Sequence, residues 1–310
     1  MLKMRNNKEE KNLEEVFKEF NQYCKIKNLS DATIQFYQDC FSSLTMFIPS
    51  DEAISNINLN KIYDYIMFLR NEREVTEKSI NTYLRGNRAF LYFAMERGYL
   101  KEFKIEMIKT EKTVKTIYTD NELKLLLKKP DIDKCNFSHY RNWVIINFLL
   151  GTGCRASTLV NIKVEDLNLD DEEVLFKTVK NRIQQVIPLT RSLQKILIEY
   201  LSYRNGDPSD YLFCNIYSGK LTVSGLNTAI RRYNGRRGVD KTSIHLFRHT
   251  FAKKWIINGG DPFRLKKILG HKSIKIVQEY VYMYSDDLKK DFSSFNPLEE
   301  FNDNRDRITL

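Results

Sequence analysis

The sequence has no long apolar run and little glycine or proline, and each absence removes a class of protein. The longest apolar run, WVIINFLL at 143–150, is far shorter than the roughly 20 residues that a membrane-spanning helix needs. The first residues, MLKMRNNKEEKN, lack the apolar segment of a signal peptide. With only 12 glycines and 6 prolines in 310 residues, we expect an ordered and mostly helical chain.

The chain also lacks paired cysteine motifs. Its five cysteines are scattered without a CxxC pair, and their number is odd. This pattern favours reduced thiols in the cytoplasm and disfavours both a disulfide framework and a structural zinc site. The cysteines are Cys24, Cys40, Cys135, Cys154 and Cys214. We therefore expect a cytoplasmic protein.

Positive charge is what the chain has in excess. It carries 50 Lys and Arg against 40 Asp and Glu, a formal net charge of +10. Such a surplus favours a polyanionic partner, either nucleic acid or an anionic membrane surface. The length favours two domains, since a single core of this size is unusual.

Residues 1–100 are predicted to form a small helical domain. Apolar residues recur at helical spacing in four segments, LEEVFKEFNQYC, DATIQFYQDCFSSLTMFI, LNKIYDYIMFL and SINTYLRGNRAFLYFAMERGYL. Ser30 and Thr76 suit the N-caps of the second and fourth helices, and Gly98 suits the end of the fourth. Residues 101–118 are rich in lysine, and we interpret them as an extended basic linker; a solvated surface strand fits the composition equally well.

A larger helical domain is predicted over 119–290, with Thr119 or Asp120 capping its first helix. Further helices are predicted at 137–150, 155–161, 190–203, 222–234, 245–258, 262–269 and 274–290. The segment EEVLFKTVKNRIQQVIPLT alternates with period two on both sides of a polar KNR turn, which is typical of a β-hairpin. The predicted fold class is therefore mainly α, with one small β-hairpin in the second domain.

The segment IHLFRHTFAKKWI places His245, Arg248 and His249 on one helix face. A zinc site would lack the glutamate of HExxH and would set a permanent positive charge between its ligands. An anion site fits better, because the fork of Arg248 and the ring of His245 can both bind a phosphate. His249 is then expected to be a buried structural histidine. A polar helix face without function is the alternative.

Other basic residues stand near predicted turns. GTGCRAS, at 151–157, places Arg155 at the start of a helix, where free N–H groups and the helix dipole favour anions. Taken alone, an ordinary glycine-rich turn is the better interpretation, because the GK[ST] ending of a P-loop is missing. Lys177 and Lys180 lie near the predicted hairpin tip, where lysines are usually solvated.

Three tyrosines follow His271 in the stretch LGHKSIKIVQEYVYMYSDD. At 100° per residue, Tyr284 belongs to an apolar seam and Tyr282 to the opposite, solvated face. Tyr280 lies on the shoulder, about 70° from the seam centre. There a ring can be held by packing while its hydroxyl points into a cleft, so the periodicity favours Tyr280 as the reactive tyrosine.

Together these residues resemble the catalytic set of the tyrosine recombinases, which include phage and transposon integrases and Xer-type resolvases. The matching motifs are TGCR, a lysine eight residues before Pro188, HLFRHTFA, LGH, and a tyrosine nine residues after that histidine. The catalytic set consists of Arg155, Lys180, His245, Arg248, His271 and Tyr280. The resemblance covers roughly residues 10–290. It implies a site-specific DNA recombinase that acts through a 3′-phosphotyrosyl intermediate and a Holliday junction.

The resemblance also implies a role for each residue. Arg155 and Arg248 would bind the non-bridging oxygens of a scissile DNA phosphate and stabilise the transition state. His245 and His271 would supply hydrogen bonds and acid–base help. Tyr280 would be the nucleophile. Because the ordinary pKa of a tyrosine is near 10, it needs a cationic, base-bearing site to become a phenolate.

Lys180 would protonate the departing 5′-oxygen, with Lys177 as the reserve candidate. The covalent link conserves the phosphodiester energy, so no metal or other cofactor is expected. One position departs from the family pattern, because Thr158 stands where many members have an acidic residue. We expect the missing support to come from elsewhere, with Asp166 as the candidate.

The family's architecture implies a clamp around double-stranded DNA at core recombination sites and a homo-tetramer on two paired sites. The 119–290 segment would be the catalytic domain, and residues 291–310 a tail that docks on a neighbour or packs back in cis. No room is expected for an arm-site domain before residue 10. Two alternatives stay open: a strand transferase resembling type IB topoisomerases, and a non-catalytic basic DNA-binding protein.

Overall fold

The computed structural model divides the chain into two compact units, 1–113 and 114–310, which are taken in turn. It describes residues 10–110, 116–177, 184–271, 273–274, 277–278 and 280. Within these residues the fold is mostly helical with one small antiparallel sheet, so the predicted fold class is confirmed. No helix among them is long and apolar enough to cross a bilayer.

The first unit contains the four helices predicted from periodicity. They are α1 (Leu13–Ile26), α2 (Asp31–Thr45), α3 (Leu59–Asn71) and α4 (Glu77–Glu96). The side chains of Ser30 and Thr76 accept hydrogen bonds from the first turns of α2 and α4, as predicted. Gly98 follows α4 with a φ of +71°, a conformation that glycine adopts without strain. Aromatic rings fill the core, with Phe17 stacked on Phe41 at 3.8 Å between centroids.

The lysine-rich segment after α4 is not a free spacer over its first half. Residues 101–110 form neither helix nor strand, as predicted. Ile105 is nevertheless buried in the core of the first unit. The Asn81 side chain exchanges two hydrogen bonds with the backbone of Ile108, at 2.8 and 2.9 Å. This half of the segment is therefore held against α4.

The second unit is a helical domain built around α6. Its helices are α5 (Asp120–Leu127), α6 (Phe137–Thr152), α7 (Ala156–Leu159), α8 (Arg191–Arg204), α9 (Val223–Arg236), α10 (Ile244–Ile257) and α11 (Pro262–Leu269). Thr119 caps α5 through a capping box with Glu122. Helix α6 packs against α5, α8, α9 and α10, which explains why most of its residues are buried.

The predicted hairpin is confirmed as two strands of a three-stranded sheet, of order β1-β2-β3. The strands are β1 (Leu167–Asn168), β2 (Glu173–Phe176) and β3 (Gln185–Pro188), with Val174 opposite Ile187. Strand β1 was missed, since two residues are too few to show an alternation. The KNR turn lies outside the described residues.

Two helix predictions need correction or stay open. Helix α7 covers four residues rather than the predicted 155–161, so a helix dipole contributes little at Arg155. The predicted helix at 274–290 is described only at 274, which lies in a turn, and at 277–278 and 280, where the backbone is helical. Tyr282, Tyr284 and the tail at 291–310 lie outside the described residues.

Gly153 ends α6 in the left-handed conformation, and we expect alanine there to destabilise the second unit. Its φ is +63°, and an added Cβ would lie 2.5 Å from Phe251 Cδ1 and 2.9 Å from Leu269 Cδ2. Strain and overpacking together should lower the free energy of unfolding by about 2–4 kcal/mol. In urea titrations, Gly235→Ala is the control, since its Cβ meets nothing within 4 Å. Equal stability of the two variants would contradict the prediction.

Candidate active site

Arg248 is the buried centre of the candidate site. Only 5% of the residue is exposed. Its Nη1 donates to the Gly153 carbonyl at 2.8 Å, and its Nη2 donates to the Leu269 carbonyl at 2.6 Å. The same Nη2 lies 2.7 Å from His271 Nε2, which must be the acceptor because arginine only donates. The fork is thereby fixed by the end of α6, by α11 and by the second residue after α11.

The fork keeps donors for a ligand. A guanidinium has five N–H groups, and within the described residues three of those on Arg248 are engaged by the contacts above. One N–H on Nη1 and the one on Nε are left. Each of these N–H groups can donate a charge-assisted hydrogen bond to an oxygen of a phosphate. The arrangement is therefore suited to hold a tetrahedral anion.

The charge of the site is strongly positive. Burial, and then the nearby positive charge of Arg155, lower the pKa of Arg248 to about 10, so it stays cationic at neutral pH. Burial also lowers the pKa of Arg155, which is partly exposed. The ion pairs seen among the described residues involve neither arginine. An anionic ligand would relieve the repulsion between the two cations.

Tyr280 lies in a small apolar cluster and reaches His249. The tyrosine is 4% exposed and packs with Ala252, Leu265, Leu269 and Val277. Its hydroxyl lies 2.6 Å from His249 Nδ1. The phenolate of Tyr280 would raise the pKa of Arg248, so the oxygen of Tyr280 is within electrostatic reach of that guanidinium. The helical wheel predicted a ring held by packing with its hydroxyl pointing into a cleft; in the structure the hydroxyl faces His249.

The expectation for His249 was wrong. This residue is only partly buried, and it contacts the tyrosine hydroxyl instead of serving as a buried structural histidine. His245, one turn earlier, is exposed, with its ring centroid 6.5 Å from that of His249. His249 thus lies between His245 and Tyr280, with ring centroids 6.5 Å and 5.7 Å away. The spacing of four residues from His245 was the signal that pointed to this position.

The hairpin approaches the site through Gln185, the first residue of β3. Its Nε2 donates to the Lys267 carbonyl at 2.7 Å, near the end of α11. Gly270 leaves room for this side chain, since a Cβ there would lie 2.8 Å from Gln185 Oε1. Strand β3 therefore begins beside the end of α11, which lies two residues before His271 in the chain. Lys180, five residues earlier, lies outside the described residues.

Lys177 is held by acidic residues. Its Nζ lies 2.7 Å from Asp166 Oδ1 and 2.9 Å from Glu165 Oε1. Hydrogen bonds to Asp166 and then Glu165 raise its pKa. A lysine paired in this way is a weaker proton donor. The reserve candidate is thus engaged in an ion-pair cluster.

The position that departs from the family pattern is inside the core. Thr158 is buried in α7, and Asp166 is buried in a single 3₁₀ turn. Asp166 Oδ2 accepts the Lys163 N–H at 2.8 Å while Oδ1 pairs with Lys177. Among the described residues, Asp166 therefore contacts Lys177, directly after β2, and the Lys163 backbone. No cluster of metal ligands occurs among the described residues.

Family models match both units. Residues 116–286 match the model of the phage integrase family, and residues 12–113 match that of the phage integrase SAM-like domain. The first match alone covers more than half of the chain. This chain belongs to the phage integrase family. It is a tyrosine-type site-specific recombinase, an enzyme of DNA recombination.

Similar proteins include bacterial Xer recombinases. The chain is 27% identical to the tyrosine recombinase XerD of Staphylococcus haemolyticus over 299 residues, covering 92% of this chain and 99% of that protein. It is 26% identical to the tyrosine recombinase XerC of Oceanobacillus iheyensis over 293 residues, covering 90% and 94%. Both alignments span nearly the whole chain, which agrees with the matches to both family models.

Solved integrases share the fold. The Tn1549 transposon integrase in complex with transposon right end DNA aligns with a TM-score of 0.74 at 17% identity, over 87% of this chain and 94% of that chain. A dimer of a lambda integrase fragment bound to a core site aligns with a TM-score of 0.72 at 14% identity, over 89% and 97%. At this level of identity, the likeness establishes the fold alone.

Proposed function

We propose that the site described above cleaves and rejoins double-stranded DNA at core recombination sites through Tyr280. The observation that carries this proposal is the fixed guanidinium of Arg248, which keeps two donors for a phosphate and has the Tyr280 hydroxyl within electrostatic reach. Arg155 adds a second positive charge. Because charge develops on the non-bridging oxygens as the phosphorus is attacked, two preorganised cations lower the barrier.

The strand-transfer step uses groups of the chain itself. Tyr280 Oη attacks the phosphorus, the P–O5′ bond breaks, and a 3′-phosphotyrosyl link forms. The roles proposed for His271 and His245 are to orient Arg248 and to contact the phosphate. Rejoining reverses the step when a 5′-hydroxyl from the partner strand attacks the phosphotyrosine. The energy of the phosphodiester is conserved, so no external cofactor is required by the chemistry.

Lys180 is the proposed general acid for the departing 5′-oxygen. Two observations support it over Lys177: the latter is paired with Asp166 and Glu165, and Gln185, at the start of β3, donates to the Lys267 carbonyl in α11. Gln185 follows Lys180 by five positions in the sequence. The ammonium group of Lys180 would neutralise the alkoxide as it leaves.

We expect Lys180→Ala to reduce cleavage by about 10²–10⁴-fold, the usual contribution of a general acid. A DNA substrate with sulfur in place of the bridging 5′-oxygen should restore the rate, because a thiolate leaves without a proton. Lys177→Ala is the matched control, and its cleavage defect should be smaller and insensitive to sulfur. Single-turnover cleavage of both substrates measures this. Sulfur rescue of the Lys177 variant alone would transfer the role to that residue.

The proposed assembly is a homo-tetramer on two paired duplexes. In related structures, a lambda integrase tetramer is bound to a Holliday junction, and the Tn1549 integrase is bound to a circular intermediate DNA. We propose that residues 1–100 form the core-binding domain, 101–118 the basic linker, 119–290 the catalytic domain and 291–310 a docking tail. The proposed location is the cytoplasm, where the free thiols and the DNA substrate both fit.

A strand-exchange assay tests the proposal against its two alternatives. The protein is mixed with two differently labelled duplexes that carry the recombination site from its own genomic context. A recombinase yields covalent protein–DNA adducts, Holliday junctions and exchanged products. Relaxation of supercoiled DNA without exchange would favour a topoisomerase-like enzyme. Salt-sensitive binding without any adduct would favour a DNA-binding protein.

A further inference from the structure

His249 has no role among the residues considered for the reaction, yet it is the residue that meets the nucleophile. Its Nδ1 lies 2.6 Å from Tyr280 Oη, within the range of 2.6–3.2 Å in which a general base takes a proton. The ring centroids are 5.7 Å apart. We propose that His249 is the base that accepts the phenolic proton of Tyr280. This rests on the proposed function, since it requires Tyr280 to be the nucleophile.

The fold brings the two residues together from separate elements. His249 projects from the middle of α10, one residue after the fixed Arg248, and α10 is anchored against α6. Tyr280 is held by apolar contacts with α10 and α11 through Ala252, Leu265 and Leu269. Packing holds the tyrosine ring, and the anchored helix α10 carries His249, so the contact needs little rearrangement. A base that needs little rearrangement lowers the cost of forming the phenolate.

The other two histidines of the candidate site, His245 and His271, are less suited to take this proton. His271 uses Nε2 to accept from Arg248, so that nitrogen is already occupied. His245 is exposed, with its ring centroid 6.5 Å from that of His249. Its exposure leaves it on the side from which DNA can approach. The proton acceptor and the phosphate ligand are thus separate histidines, one turn apart.

The step balances as follows. As the bond from Oη to phosphorus forms, the phenolic proton moves from Oη to Nδ1 of His249, which becomes an imidazolium. The P–O5′ bond breaks, and the 5′-oxygen takes a proton from the hairpin lysine. In rejoining, the 5′-hydroxyl of the incoming strand returns its proton to that lysine, the bond from Oη to phosphorus breaks, and the phenolate recovers its proton from His249.

Two substitutions separate a base from a mere hydrogen-bond partner. His249→Asn keeps an amide oxygen that can accept a hydrogen bond near the Nδ1 position, but this oxygen cannot take a proton at neutral pH. His249→Ala removes the partner and leaves space for a small base. If His249 is the base, both variants lose about 10²–10⁴-fold in single-turnover cleavage. Added imidazole should then restore part of the rate to the alanine variant and none to the asparagine variant.

The assay uses the full chain and the sulfur-containing suicide substrate, so that leaving-group protonation does not limit the rate. Thermal unfolding and DNA binding of each variant verify that it is folded and binds. Wild-type cleavage by His249→Asn would overturn the proposal, as would an alanine variant that imidazole does not rescue. Failure of the proposed function gives a different result from failure of the proposal for His249. In the former case the wild type forms no covalent adduct, or Tyr280→Phe still forms one.

Discussion

Replacing Tyr280 by phenylalanine should abolish covalent attachment to DNA. The variant loses only the hydroxyl, which is the atom proposed to attack the phosphorus. Removal of a nucleophile in other covalent enzymes reduces the rate on the order of 10⁶-fold, so no adduct should be detectable by denaturing gel electrophoresis. The ring keeps its packing against Ala252, Leu265 and Leu269, and the lost contact to His249 should cost only about 0.5–1.5 kcal/mol of stability.

DNA binding separates this result from a folding defect. Phosphate contacts by basic residues dominate the affinity for DNA, and they do not involve the tyrosine hydroxyl. The Tyr280→Phe variant should therefore bind its site with the affinity and salt dependence of the wild type. Tyr282→Phe is the matched control and should form the adduct normally. Adduct formation by Tyr280→Phe, or its loss only in Tyr282→Phe, would show that another tyrosine is the nucleophile.

Arg248→Lys is expected to lose both activity and stability. A lysine carries its donors on one nitrogen and cannot bond the Gly153 and Leu269 carbonyls, His271 and a phosphate together. Cleavage should fall by about 10³–10⁵-fold, as for other arginines that stabilise a phosphoryl transition state. The free energy of unfolding should fall by about 2–4 kcal/mol, because the buried carbonyls lose their donors.

Arg141→Lys controls for the loss of stability. Arg141 is also a buried arginine that donates to a carbonyl, that of Cys214, at 2.7 Å. It lies near the start of α6, about 18 Å along the helix axis from Gly153. Below its melting temperature, the Arg141 variant should cleave DNA within about threefold of the wild type while losing comparable stability. Equal loss of cleavage in both variants would contradict a specific role for Arg248.

Local signals in the sequence predicted most of the fold. The four helices of the first unit, the caps at Ser30, Thr76 and Thr119, and the hairpin all depend on residues within a few positions of each other. Strand β1 and the short α7 were mispredicted because they depend on contacts with residues that are distant in the sequence. Strand β1 exists only through its pairing with β2, and α7 is cut to one turn by the packing of the second unit.

The contacts within the candidate site were less predictable than the residues proposed to form it. The order and spacing of the basic residues predicted Arg248 and His271 as site residues, but not the three contacts that hold the guanidinium. The contact of His249 with Tyr280 joins residues 31 positions apart. No periodicity reports such a contact. The pairing of Asp166 with Lys177 was missed for the same reason, because it depends on how β2 lies beside the turn that follows α7.

The choice of partners for Arg248 has a thermodynamic consequence. Carbonyls and an imidazole hold the guanidinium in place without neutralising it, whereas a carboxylate would have cancelled the charge. Folding alone therefore leaves two like charges, on Arg155 and Arg248, partly removed from water. A ligand that binds only the folded state adds its binding free energy to that of folding. A DNA phosphate bound between the two arginines would thus supply part of the stability of the candidate site.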